Sequence, residues 1–359
     1  MQLRKIILLL PLSLFVLLSA TCTKPENASS QISLSKPQTF NWHMRTVWPA
    51  EFEILTQGIK QFIEDVRIIS NNRLNITLAD NAGRGLSVFD AVSTGQVQIG
   101  HSVAYLWTDK MPAAQFMASV PFGMDAKQHF AWLNNGGGLK LWRDIYRPHK
   151  LIPFPMGNTG MQMGGWFKKP IKKINDFKGL KIRMPGMAGE VLVQREIGAI
   201  PTQKDNLVEA LTNGSLDAVE WMGPYYDNKR GLDQVAKYYY YPGWHDPSTT
   251  LELLINLEAW KQLPEDLKTL VEISANNTHH WIYTAFESKN ALALKDLESN
   301  RDIDIRVFPN KVLNKLRQTT KKLLKQKAQA DPDFNKVYKY YREFQETMDS
   351  WHTKKLNSE

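Results

Sequence analysis

Leu74-Asn75-Ile76-Thr77-Leu78 alternates apolar and polar residues, the period of a half-buried β-strand. Upstream of it, Pro49 and Glu51 open a stretch running to Ser70 in which Phe52, Leu55, Ile59, Phe62, Ile63 and Val66 recur at helical spacing. Before that helix, Thr39–Val47 alternates as a first strand. Downstream, Ser87 is placed to cap a short helix reaching Gly95, because a seryl oxygen there accepts from an unpaired N–H of the first turn. Val97–His101 is strand again. The order β-α-β-α-β predicts an α/β fold, a sheet with helices on its faces.

A second set of elements follows. Leu151–Met156, Met161–Trp166, Lys181–Met184 and Asp217–Glu220 read as strands. Gly189–Ile197 and Asn206–Asn213 read as helices, the latter ended by Gly214. Gly136-Gly137-Gly138 lacks the lysine of a phosphate loop and reads as a helix–helix turn. Two α/β lobes, with strands crossing between them near 150 and 250, predict a two-lobed, hinged clamp of the periplasmic-binding-protein kind. The expected division is 38–155 with part of 245–285 as lobe I, 156–244 with part of 286–310 as lobe II, and 311–359 as a C-terminal helical extension. From Glu265 to Lys355 the chain reads as mostly helical, broken at Pro309 and Pro332.

With 359 residues, 43% hydrophobic and 23% charged, the chain is long enough for two folded domains and too apolar to be disordered. The net charge of +9 is uneven: residues 301–359 hold fourteen Lys/Arg against eight Asp/Glu, while the main body is nearly neutral. A nucleic-acid binder would carry a basic stripe on that body, so no nucleic-acid partner is expected. The single cysteine excludes an intrachain disulfide framework and cysteine-based metal sites. Residues 1–22 read as a signal peptide: Arg4-Lys5, the apolar run Ile6–Leu18, then Ser19-Ala20-Thr21. Export to the periplasm is therefore expected. Cys22 stands where a lipidated cysteine would stand, but the residues before it fit a lipobox poorly, so a lipid anchor stays open. Residues 23–37 read as a flexible tether.

Phosphate-loop, dinucleotide, nucleophile-elbow and His-Glu-x-x-His motifs are all missing from the sequence. His279-His280 would point about 100° apart on a helix, a poor pair for a metal. Three other runs are specific. Asn158-Thr159-Gly160-Met161-Gln162-Met163-Gly164-Gly165-Trp166, Phe177-Lys178-Gly179-Leu180-Lys181-Ile182-Arg183-Met184-Pro185-Gly186 and Asp217-Ala218-Val219-Glu220-Trp221-Met222-Gly223-Pro224 resemble the core motifs of TRAP transporter solute-binding proteins. Tyr238–Tyr241-Pro242-Gly243-Trp244-His245 and Leu251-Glu252-Leu253-Leu254-Ile255-Asn256 resemble the branch that binds 2-oxo or 2-hydroxy monocarboxylates with a metal cation. Two stretches depart from the pattern: Lys204-Asp205-Asn206, where relatives usually carry a Gly-Gly-Glu type turn, and the basic last helices.

The resemblance implies a binding protein, not an enzyme, that captures a pyruvate- or lactate-like acid and delivers it to a TRAP membrane permease. Arg183 would clamp the ligand carboxylate, since a guanidinium presents two parallel N–H donors. Glu220 and Glu252 are acids in apolar surroundings, expensive to bury unless paired or metal-bound. The resemblance implies that both, with Gln162 and the Trp221 main-chain carbonyl, cage a calcium or sodium ion, calcium being the better charge match. The competing expectation is that each glutamate pairs with a nearby Lys or Arg. Tyr105 and Trp221 would wall the ligand, and Asn158 would either contact it or shape its own strand turn. A separate alternative is an exported metal-dependent lyase or hydrolase using Glu220 or Glu252 as base. Phe334, Val337, Tyr338, Tyr341 and Phe344 form one aromatic stripe, expected to join two protomers into a homodimer or, alternatively, to pack on the chain's own lobes.

Overall fold

The computed structural model describes residues 38–79, 87–184, 186–195, 197–201 and 206–356. The signal peptide, the tether, Cys22 and Lys204-Asp205 lie outside the described residues. In chain order the strands are β1 (Phe40–Thr46), β2 (Leu74–Leu78), β3 (Ile99–Ser102), β4 (Leu151–Asn158), β5 (Gly165–Phe167), β6 (Lys181–Arg183), β7 (Ile200–Pro201), β8 (Ala218–Val219), β9 (Tyr238–Tyr241), β10 (Thr250–Asn256) and β11 (Asp304–Val307). The helices are α1 (Glu53–Ile69), α2 (Val88–Ser93), α3 (Gln115–Ala118), α4 (Ala126–Asn135), α5 (Gly138–Tyr146), α6 (Gly186–Val193), α7 (Leu207–Thr212), α8 (Pro224–Lys229), α9 (Leu257–Gln262), α10 (Glu265–Ser299), α11 (Asn310–Ala330) and α12 (Pro332–Leu356).

The strands form two sheets, of order β2-β1-β3-β10-β4 and β11-β9-β5-β8-β6-β7. In the first, β1 pairs in parallel with β2 and β3, as the β-α-β-α-β reading requires, and β10 runs antiparallel between β3 and β4. All seven residues of β10 are buried, because a central strand is covered on both faces. Ser87 caps α2 as expected, accepting from Asp90 N. Gly137, at φ +84°, makes the turn between α4 and α5.

The chain passes from the first sheet to the second through residues 159–164 and returns through 242–249. The first crossing comes later than the sequence suggested. β4 continues to Asn158, whose side chain accepts from Gly160 N and so turns the chain there. The 35-residue α10, about 52 Å long, spans both sheets. Its Leu267, Val271 and Ala275 pack in the core beside β1 and β10, and its Leu297 packs with Trp166 and Tyr239 of the second sheet.

One expectation for the tail needs correction. Asp304–Val307 is a strand, β11, parallel to β9, where the sequence read as helix. The aromatic stripe of α12 packs against the chain's own helices, the alternative the sequence left open. Phe334, Val337 and Tyr341 are buried, the Phe116 ring lies 4.8 Å from Phe334 and 5.2 Å from Tyr341, and Met124 N donates to Tyr341 Oη at 2.8 Å. Packing on the chain's own lobe is the arrangement found.

Candidate functional site

Parallel pairing of β6 with β8 sets Arg183 opposite Val219, and so beside the next residue, Glu220. Arg183 Nη1 donates to the Glu220 carbonyl oxygen at 2.7 Å and lies 3.4 Å from its carboxylate oxygen Oε2. The same guanidinium stands 4.7 Å from the centroid of the Trp221 ring, where the negative ring face favours a cation. Glu220 is buried, and its other oxygen, Oε1, lies 3.2 Å from His245 Nε2. That contact is within ion-pair range but off hydrogen-bond alignment. Burial pushes the His245 imidazole down, but the Glu220 carboxylate outweighs it and holds His245 above its ordinary value.

Asp246 follows His245 and is buried. One of its oxygens accepts from Thr249 Oγ1, while Oδ1 has no hydrogen-bond partner. Burial pushes the Asp246 carboxyl up to about 6 against the pull of His245, Thr249 and Ser119, and the charge of Glu220 adds to the rise. A buried carboxylate oxygen left without a donor is costly, so the position suits a cation. The turn carrying Asp246 lies against Gln162. A Cβ at Gly243 would stand 2.1 Å from the Gln162 carbonyl oxygen, so only glycine fits there. Gln162 is buried and its Nε2 donates to Thr159 Oγ1 at 3.3 Å, a bond that does not use the amide oxygen.

Tyr105 faces the same group: Arg183, Asp246 and Glu220 all act on its hydroxyl, which burial keeps protonated. Tyr105, Gln115, Ser119, Met187, His245 and Asp246 line a cavity of about 20 Å³, room for about one water. A ligand the size of a small organic acid therefore enters only if the walls part. Among the described residues, no three or more His, Cys, Asp or Glu side chains gather into a cage. A cation here would be held by two carboxylates, the Gln162 amide oxygen and main-chain oxygen, and by the ligand itself.

The structure thus brings together Arg183, Glu220, Trp221 and Tyr105, sets Gln162 against the turn that carries Asp246, and bonds Glu252 elsewhere. Glu252, on β10, accepts from Ser102 Oγ at 2.6 Å, Trp107 Nε1 at 2.5 Å and Tyr146 Oη at 2.8 Å, all around the first sheet. Burial pushes its carboxyl up to about 7, against those three donors. Neither competing expectation fits it: it has no cation partner among these bonds and is satisfied by neutral donors. Glu220 does pair with an arginine, Arg183. Asn158 takes the structural alternative, donating to Thr250 Oγ1 at 3.1 Å and accepting from Gly160 N at 2.8 Å. His279 is a packing residue, accepting from Gly157 N at 3.1 Å, with its ring 6.0 Å from that of His280.

Sequence reasoning missed Asp246. The available signal was an acid directly after Pro242-Gly243-Trp244-His245, one residue beyond the motif already recognised.

The model of bacterial extracellular solute-binding protein family 7, DctP, matches residues 44–331. The chain belongs to this family. A monocarboxylate 2-oxoacid-binding periplasmic protein of a Nostoc species is 35% identical over 333 residues, 92% of this chain and 90% of that one. A TRAP periplasmic solute-binding protein from Colwellia psychrerythraea, solved with calcium and pyruvate, is 34% identical, with TM-score 0.84 over 89% of this chain and 98% of that one. One from Pseudoalteromonas atlantica, solved with sodium and pyruvate, is 36% identical, with TM-score 0.83 over 90% and 100%. The matches bear out the two-lobed binding-protein fold and a solute-binding role for this family 7 protein. The lyase or hydrolase alternative finds no support in them.

Proposed function

We propose that this family 7 protein is exported to the periplasm, captures a small 2-oxo monocarboxylate of pyruvate size together with a cation, and hands it to a TRAP membrane permease. The observation that carries this reading is the buried Asp246 Oδ1, left without a hydrogen-bond donor near Glu220, at the same Tyr105 hydroxyl that Arg183 acts on. Arg183 grips the ligand carboxylate. Glu220, Asp246, the Gln162 amide oxygen and the Trp221 main-chain carbonyl hold the cation, and Tyr105 offers its hydroxyl to the 2-oxo oxygen. The cation supplies the positive charge that lets two carboxylates and an anionic ligand share a closed site.

Charge balance favours calcium. Glu220, Asp246 and the ligand bring three negative charges and Arg183 one positive. A bound cation repels a proton from His245, so calcium leaves the site neutral and sodium leaves it at one negative charge. Capture follows from hinge closure about residues 159–164 and 242–249, which expels water and strengthens each of these contacts. Calorimetry with pyruvate, 2-oxobutyrate, lactate, succinate and glucuronate in millimolar calcium tests the assignment. Binding confined to pyruvate, 2-oxobutyrate and lactate is expected. Preference for the dicarboxylate or the sugar acid, or no binding of any of those three, overturns it.

A further inference from the structure

The two sheets also meet beside the binding site, where α1, packed on the first sheet, touches α8. Asp227 fixes α8 to the second sheet by accepting from Trp166 Nε1 of β5 at 3.0 Å and Tyr239 Oη of β9 at 2.8 Å. The start of α1 lacks a side-chain cap from its own sequence, since its N-cap residue is Phe52. The first N–H groups of a helix have no partner within it. One of them, Ile54 N, donates instead to Tyr226 Oη of α8 at 3.0 Å. In the same turn, Glu53 accepts from both Tyr225 Oη and Lys229 Nζ of α8. Lys289 Nζ of α10 donates to Tyr225 Oη at 3.1 Å, and the Lys229 and Lys289 ammonium groups stand 5.0 and 4.7 Å from the Tyr225 ring centroid.

We infer that Glu53, Tyr225, Tyr226 and Lys229 form a latch between the lobes that sets how long the loaded clamp stays shut. Three features support it. The contacts join elements held by different sheets, so opening about the two crossings separates them. Helix α1 receives its cap from the opposite lobe, so opening exposes that N–H to water. The latch also abuts the site: the Phe52 ring lies 5.2 Å from Tyr226 and 6.1 Å from Trp221, whose main chain belongs to the proposed cation cage. The latch residues touch neither ligand nor cation, and they act by weighting the closed form. Every bond gained only on closure shifts the population toward that form and slows ligand escape.

The inference rests on the proposed function, and one experiment separates the two. Stopped-flow release of pyruvate from the calcium-loaded full-length protein is compared for wild type, Glu53→Gln, Tyr226→Phe and Lys140→Met. Lys140 pairs with Asp144 on one exposed helix and serves as the control. Glu53→Gln and Tyr226→Phe are expected to release ligand about three- to tenfold faster with an unchanged association rate, while Lys140→Met matches wild type. Raising the salt should speed wild-type release more than that of Glu53→Gln, because only the wild type has a charged pair to screen. Wild-type release rates in both latch variants overturn the latch and leave the binding function standing. If wild type does not bind pyruvate at all, the proposed function falls and the latch falls with it.

Discussion

Replacing Arg183 by alanine removes the only positively charged side chain proposed to touch the ligand. The guanidinium now donates to the Glu220 carbonyl oxygen at 2.7 Å, lies 3.4 Å from the Glu220 carboxylate and covers Trp221. The variant leaves the buried ligand carboxylate without its paired N–H donors, which costs about 2–5 kcal/mol, a loss of affinity of about 30-fold or more. It also leaves the half-buried Glu220 carbonyl without its donor, for a further loss in stability of about 1–3 kcal/mol. Arg183→Lys keeps the charge but not the paired donors, so it should recover only part of the affinity. Calorimetry at saturating calcium measures the binding loss, and urea unfolding of the free protein measures the stability loss. Affinity within threefold of wild type in Arg183→Ala would refute the carboxylate clamp. A stability loss with unchanged affinity would show that Arg183 only braces the β6–β8 edge.

Other expectations follow from the rest of the structure. Glu252→Gln should cost about 1–3 kcal/mol of stability by upsetting three donors, yet leave the calcium dependence of pyruvate binding intact, whereas Asp246→Asn should abolish that dependence. The reverse pattern in calorimetry would return Glu252 to the cage. Phe334→Ala should lower stability by about 3–5 kcal/mol without changing the mass seen by light scattering. A dimer that falls to monomer in this variant would contradict own-chain packing. His129 Nε2 donates to Phe116 O and its Nδ1 accepts from Thr250 Oγ1, and burial pushes its imidazole down to about 4 from 6.5. Its stability contribution is therefore present above pH 6.5 and is lost as the pH falls toward 4. In His129→Gln the change in unfolding free energy between pH 7 and 5 should be smaller by about 2 kcal/mol, and an unaltered pH profile would show that His129 is not held neutral.

The architecture was legible where local pattern and final environment agree. Leu74–Leu78 alternates because one face of β2 meets the core, and Ser87 caps α2 because that N–H has no other partner. Arg183, Gln162, Glu220 and Trp221 were legible because they lie in runs that resemble the family's motifs, and the folded chain brings Arg183, Glu220 and Trp221 together with Tyr105, which was read as an aromatic wall. The errors have a common cause. An apolar neighbourhood in sequence tells that a side chain is buried but not what it meets. Glu220 and Glu252 looked alike, yet one lies on the second sheet beside Arg183 and the other among Ser102, Trp107 and Tyr146. Asp246 was hidden because an acid before Pro247 reads as a turn residue, and its burial depends on the close approach at Gly243. Strand β11 was lost because four alternating residues between two long helices carry little periodicity. The stripe of α12 was correctly read as buried, but sequence does not say whether the same chain or another covers it.

The central claim is that ligand and cation share one closed site, and mutual linkage tests it most directly. Pyruvate affinity is measured by calorimetry on protein stripped with chelator and dialysed, then again in millimolar calcium, and calcium affinity is measured with and without pyruvate. The account predicts that calcium tightens pyruvate binding by about tenfold or more, and that pyruvate tightens calcium binding by the same factor. Equal pyruvate affinity in the stripped and calcium-loaded protein would contradict it.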